Sequence, residues 1–157
     1  MSEIPTVRQA VEMAVRAERI GQRFYTRVAN RFENSPEVSE VFRMLAEDEQ
    51  DHEERFEKLL AQVPEDPPEV QNEYGREEKL RAIAVSDLFS GALFEELDRV
   101  ETVSDALIVG ARFEENAMKY YDGLRDILGP SPELNALVAE EKRHLELLTR
   151  KIKQHVS

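Results

Sequence analysis

Two of the three histidines in this chain stand three residues after a glutamate, as Glu49-x-x-His52 and Glu141-x-x-His144. Residues at i and i+3 are neighbours on one helix face, so each pair can aim a carboxylate oxygen and an imidazole nitrogen at the same point. Oxygen and imidazole donors suit Fe, Mn or Zn, and together they form a metal-binding set. Two further glutamates, Glu18 and Glu114, lie in related surroundings, AVRAERIGQRFY and GARFEENAMKYY. Four carboxylates and two imidazoles are candidate ligands if one fold brings them together.

The elements that must position them are legible from periodicity. Glu18 interrupts an apolar series, Val11, Ala14, Gly21, Tyr25 and Val28; Glu114 interrupts Leu107, Gly110, Ala117, Tyr121 and Leu124. Glu49 and His52 stand between Leu45 and Phe56, and Glu141 and His144 between Leu137 and Leu148. Steps of four and three keep each series on one inward seam of a helical bundle. Asn34-Ser35-Pro36 and Gly129-Pro130-Ser131-Pro132 break the periodic segments. In each, Ser-Pro-Glu reads as an N-cap, a first helical residue and a favourable first-turn charge. The expected helices therefore cover about 6–32, 36–62, 103–128 and 132–155. Short connections make each pair an antiparallel hairpin. The crossover between the hairpins, about residues 63–102, is too long for an idle loop; Lys79–Val85 and Leu88–Leu97 read as short helices within it. The fold class is all-α, a four-helix bundle, and the chain reads as a single domain over 1–157.

The two hairpins also resemble each other. Thr6-Val7, Glu18, Tyr25 and Ser35-Pro36-Glu37 recur at one constant offset as Thr102-Val103, Glu114, Tyr121 and Ser131-Pro132-Glu133. Leu45…Glu49…His52 recurs as Leu137…Glu141…His144 at an offset about one helical turn shorter, which preserves the face. The polar interruptions thus fall in register. A lone buried carboxylate costs several kcal/mol or more, roughly, and four at one level repel each other. Two divalent cations would remove that repulsion. One Glu from each of two helices plus Glu-x-x-His from each of two others is the known arrangement of di-iron and di-manganese carboxylate bundles.

Several neighbours have two readings. Asp48 and Glu140 each precede a seam glutamate. Either can accept a hydrogen bond from the outer nitrogen of the histidine on the partner helix, or be an ordinary exposed helix acid. Tyr25 and Tyr121 lie two turns beyond Glu18 and Glu114, where they can bond ligand carboxylates or simply fill the core. His155 belongs to no pair and reads as a surface histidine. On the first helix Ala10, Met13, Ala17, Ile20 and Phe24 form a second apolar strip, and the crossover carries Leu88, Phe89, Leu93 and Phe94. These serve either a homo-oligomer, most simply a dimer, or a core thickened by the crossover.

Composition narrows the classes. Among 157 residues there is no cysteine, which removes disulfides, thiolate zinc, iron–sulfur clusters and cysteine nucleophiles. A net charge of −12 argues against a nucleic-acid partner. No apolar run approaches the roughly 20 residues of a spanning helix, and no targeting segment is evident; a soluble, cytoplasmic protein is expected.

The segments AVRAERIGQRFY, MLAEDEQDHEERF, GARFEENAMKYY and LVAEEKRHLELL resemble the rubrerythrin and bacterioferritin branch of the ferritin-like superfamily, over nearly the whole chain. The resemblance implies a ferritin-like bundle holding two iron ions, with Mn or Zn as substitutes. It implies Glu18, Glu49, His52, Glu114, Glu141 and His144 as ligands, Glu49 and Glu141 being the bridging candidates by family analogy. Rubrerythrins also carry a four-cysteine rubredoxin-like domain and an extra Glu one turn after the third-helix ligand. Here cysteine is missing and that position is Ala117. A separate electron-donor protein is therefore expected, with the six-ligand set of bacterioferritins and other minimal members. The implied function is a di-iron oxidoreductase acting on peroxide or O2 in protection against oxidative stress. The alternatives are iron oxidation with storage or delivery, and a metal-free helical interaction protein whose polar core fixes register.

Overall fold

A computed structural model describes residues 5–63, 76–84 and 92–156. Within them the chain forms α1 (Val7–Arg31), α2 (Pro36–Gln62), α3 (Arg76–Ala84), α4 (Ala92–Leu97), α5 (Val103–Leu128) and α6 (Pro132–Val156). There is no strand among the described residues. The four long helices fall within a residue of the spans that periodicity implies. Most of the Pro-rich stretch from Val63 to Tyr74 lies outside the described residues, as do Leu88, Phe89 and the side chains of Leu93 and Phe94.

Local chemistry accounts for where the helices start. The Thr6 hydroxyl accepts from the Gln9 amide at 3.0 Å, while the Gln9 side chain accepts from the Thr6 amide at 2.9 Å. Thr102 and Asp105 repeat this reciprocal cap on α5, at 3.0 and 3.1 Å. Ser131 caps α6 by accepting from the Leu134 amide at 3.1 Å. Ser35 does not behave as its sequence implies: it stands at the N-cap of α2, yet its side chain makes no capping bond. Its ψ of 83° departs from the extended 163° and 165° of Thr6 and Thr102. The Ser35 carbonyl instead accepts from Val38 and Ser39, and Pro36 supplies the helical φ.

Gly129 ends α5 at φ 87° and ψ 157°, a region open essentially to glycine alone. Gly129→Ala is expected to lower stability by about 1–3 kcal/mol in urea denaturation, since no atom lies near enough for the added methyl to gain a contact.

The helices pair as two hairpins, α1 along α2 and α5 along α6, with α1 also against α5 and α2 against α6. The crossover helix α3 lies over α1 and α5, and α4 over α5. Ala10, Met13, Ala17 and Phe24 of the second apolar strip are buried within this one chain, in a core that also takes in Leu80, Ile83 and Leu97. Ile20, the fifth residue of the strip, is half-buried against that core. No helix among the described residues is long and apolar enough to cross a membrane.

Candidate metal centre

Halfway along the bundle the apolar seam gives way to Glu18 of α1, Glu49 and His52 of α2, Glu114 of α5, and Glu141 and His144 of α6. Five of the six are fully buried and His144 is 5% exposed. Their donor atoms converge as two overlapping groups, each spanning at most 4.8 Å: Glu18, Glu49, His52 and Glu141; and Glu49, Glu114, Glu141 and His144. Glu49 and Glu141 belong to both. His52 Nδ1 stands 2.6 Å from Glu141 Oε1 and 3.6 Å from Glu18 Oε2. His144 Nδ1 stands 3.5 Å from Glu114 Oε1 and 3.7 Å from Glu49 Oε1.

Seven buried side-chain atoms in this cluster have no hydrogen-bond partner among the protein atoms: Glu18 Oε2, both oxygens of Glu49, His52 Nε2, Glu114 Oε2, Glu141 Oε2 and His144 Nδ1. A folded protein rarely leaves a buried polar atom unsatisfied, because each costs about 1–3 kcal/mol. All seven are carboxylate oxygens or imidazole nitrogens, the donors a first-row divalent metal takes. The donor set fits a metal.

Carboxylates packed this closely in a buried seam raise one another's proton affinity. Burial, followed by the charges of Glu18, Glu141 and Glu114, pushes the Glu49 carboxyl well above the usual carboxylate range. Burial and the charges of Glu114 and Glu18 do the same to Glu141. At His144 burial opposes the charged form, but the nearby Glu114 carboxylate, aided by Asp48, lifts it to about 9. Burial likewise opposes charge at His52, and Glu18 outweighs it to raise that group too.

The surrounding residues obey the internal repeat in a crossed pattern. The Tyr25 hydroxyl of α1 donates to Glu114 of α5 at 2.7 Å, and Tyr121 of α5 donates to Glu18 of α1. Burial pushes both phenols well above their ordinary range, so they stay neutral donors. Asp48 lies 2.9 Å from His144 Nε2. Glu140 comes only to 3.8 Å of His52 Nε2, too far for a hydrogen bond. Arg55 holds it instead, at 2.7 Å, and reaches Asp51 at 3.1 Å. Asp51, His52 and Glu140 make a third group with ligand spacing, but the Arg55 guanidinium already serves both acids as their cation. Ala117 is fully buried at the position after Glu114 on the seam, and it supplies no further carboxylate. His155 is exposed, beside Glu37 and Lys151 at one end of the bundle.

Two contributors are not evident from motif reading. Arg55 could have been found as the residue three after His52 and four after Asp51, on the same helix face. Gly21 is the other: a Cβ there would lie 2.8 Å from Phe113 Cε1 and 2.9 Å from Glu49 Oε2. An unforced glycine inside a long helix costs about 1 kcal/mol, and that cost is the signal of a close approach.

An all-α bundle of two antiparallel hairpins with a buried carboxylate–histidine cluster is of the ferritin-like class. The family model described as Rubrerythrin matches residues 9–152, and the chain belongs to that family. Searches of curated proteins and of solved structures returned no match.

Proposed function

We propose that the protein is a di-iron oxidoreductase that reduces peroxide or O2, in the service of oxidative-stress protection. The supporting observation is the pair of overlapping four-residue groups that share Glu49 and Glu141. Glu18 and His52 would hold one metal and Glu114 and His144 the other, with Glu49 and Glu141 common to both. When bound, two ferrous ions would supply one electron each, which with two protons take hydrogen peroxide to water or O2 to hydrogen peroxide. Tyr25 and Tyr121 keep Glu114 and Glu18 oriented by donating to one oxygen of each, leaving the other oxygen free. Phe42, Phe56 and Phe113, all fully buried, exclude bulk water from the seam. Electrons return from a redox carrier protein outside these 157 residues, which contain no cysteine.

The test is to load the metal-free protein with Fe(II) anaerobically and add H2O2. Two-electron oxidation is expected to be faster than in Glu49→Ala and Glu141→Ala controls; equal rates would remove the reading. The missing carboxylate at Ala117 favours a second reading, ferroxidase chemistry for iron storage or delivery. Storage needs a many-subunit cage, so a light-scattering mass near that of a dimer would exclude it.

Metal loading is expected to release protons. Glu49, Glu141 and His144 all hold their protons above their ordinary pKa values, and metal ligands must give them up. Affinity should therefore rise with pH through neutrality toward about 9, the value at His144. Calorimetric titrations with Zn(II) in buffers of different ionisation enthalpy should give heats that vary with the buffer; buffer-independent heats would count against it.

A further inference from the structure

The two halves of the cluster are equivalent in ligand types but not in how their histidines are held. On one side His144 donates from Nε2 to Asp48 at 2.9 Å. That bond fixes the proton on the outer nitrogen, and the inner Nδ1 has no hydrogen-bond partner among the protein atoms. On the other side the bonding is reversed. His52 engages Glu141 through its inner Nδ1 at 2.6 Å, while its outer Nε2 is unpartnered. A cation at Nδ1 of His52 requires that bond to break and the proton to sit on Nε2. The carboxylate placed to receive it, Glu140, is 3.8 Å away and is drawn off by Arg55.

We propose that the two halves load in a fixed order, with the Glu49, Glu114, Glu141 and His144 half taking a divalent cation first. Asp48 and the Arg55–Glu140 pair are the positioning residues that set the order. Asp48 pre-orients one histidine for coordination, and Arg55 withholds the equivalent acceptor from the other. This rests on the reading that the cluster holds two metals. Residues that bond the outer nitrogen of a ligating histidine change metal affinity by about 10–100-fold, enough to separate two otherwise similar steps.

Co(II) titration of the metal-free full chain separates the possibilities. A Co(II)-bound imidazole gives an exchangeable, strongly shifted N–H proton resonance, so each histidine reports its own occupancy. One such resonance should grow to completion over the first equivalent and a second over the next. Asp48→Ala is expected to weaken the first step about 10–100-fold and abolish the order. Asp48→Asn, which keeps an acceptor oxygen, should restore it in part. Glu140→Ala should leave the first step unchanged, and Arg55→Gln should strengthen the second by freeing Glu140. Asp48 is about half exposed, so its removal need not disturb folding. Two resonances rising together from the first addition, or an Asp48→Ala protein with its first step intact, would overturn the ordered loading while leaving two-metal binding in place. No Co(II) uptake at all would overturn the metal-site reading itself.

Discussion

Glu49→Gln should abolish both metals of the proposed two-metal site, whereas Glu18→Gln should abolish one. Glu49 belongs to both ligand groups, and Glu18 belongs to only one. Glutamine matches glutamate in volume, so the exchange leaves core packing unchanged and removes one charge and one anionic oxygen. Elemental analysis after loading and desalting should fall from about two metals per chain toward none in Glu49→Gln and toward one in Glu18→Gln. Thermal unfolding provides a second readout. A ligand that binds only the folded state adds about 2.7 kcal/mol at a hundred times its dissociation constant. The wild-type midpoint should rise accordingly on adding metal, and that of Glu49→Gln should not move. In the metal-free state the order inverts. Glu49 is then a buried carboxyl with neither oxygen satisfied, so the variant, which has no carboxyl there that must take up a proton on folding, should be at least as stable as wild type. Equal metal contents in the two variants would show that the carboxylates do not share metals as their spacing implies.

Gly21→Ala is expected to be the most damaging single methyl group that can be added to the site. In an open helix the exchange stabilises by about 1 kcal/mol. Here the new carbon would fall inside contact distance of Phe113, which is fully buried, and of the Glu49 carboxylate. Phe113 packs edge-on to Tyr25, with ring centroids 6.4 Å apart, so it has little room to retreat. Overpacking of this kind costs typically about 1–3 kcal/mol, more than the helix gains. The carboxylate must shift as well, so metal affinity should fall along with stability. The same exchange at Gly123 serves as the control. There the nearest atoms, from Ile83, lie at 3.5 and 3.7 Å, and an alanine should be neutral or stabilising. A Gly21→Ala protein as stable as wild type would mean that α1 can move outward without loss.

The bundle was legible because its signals agree. The four-and-three spacing, the internal repeat and the Ser-Pro breaks all mark the same helices. The six polar residues on the seams stood out for a physical reason: no apolar core tolerates them unpaired, and the repeat placed them at one level. What periodicity could not supply was distance between helices. It left Asp48 and Glu140 as equivalent candidates, yet one bonds its histidine and the other is diverted by an arginine on α2. It placed Gly21 on the seam without revealing that a neighbouring ring and carboxylate fill the space beside it. Ser35 has the residue type of a cap but not the backbone angle, which depends on how tightly the chain turns out of α1. Local pattern identifies which residues face inward. Contacts across the bundle decide what each one does.

The hydrogen bonds around the cluster run between the hairpins rather than within them. Tyr25 reaches to the second half and Tyr121 to the first; Asp48 serves a histidine from the opposite hairpin, and His52 bonds a glutamate from it. A single hairpin thus carries only fragments of the arrangement, and would be complete only when docked against a copy of itself. The cluster is a by-product of docking and can form only once both halves have met.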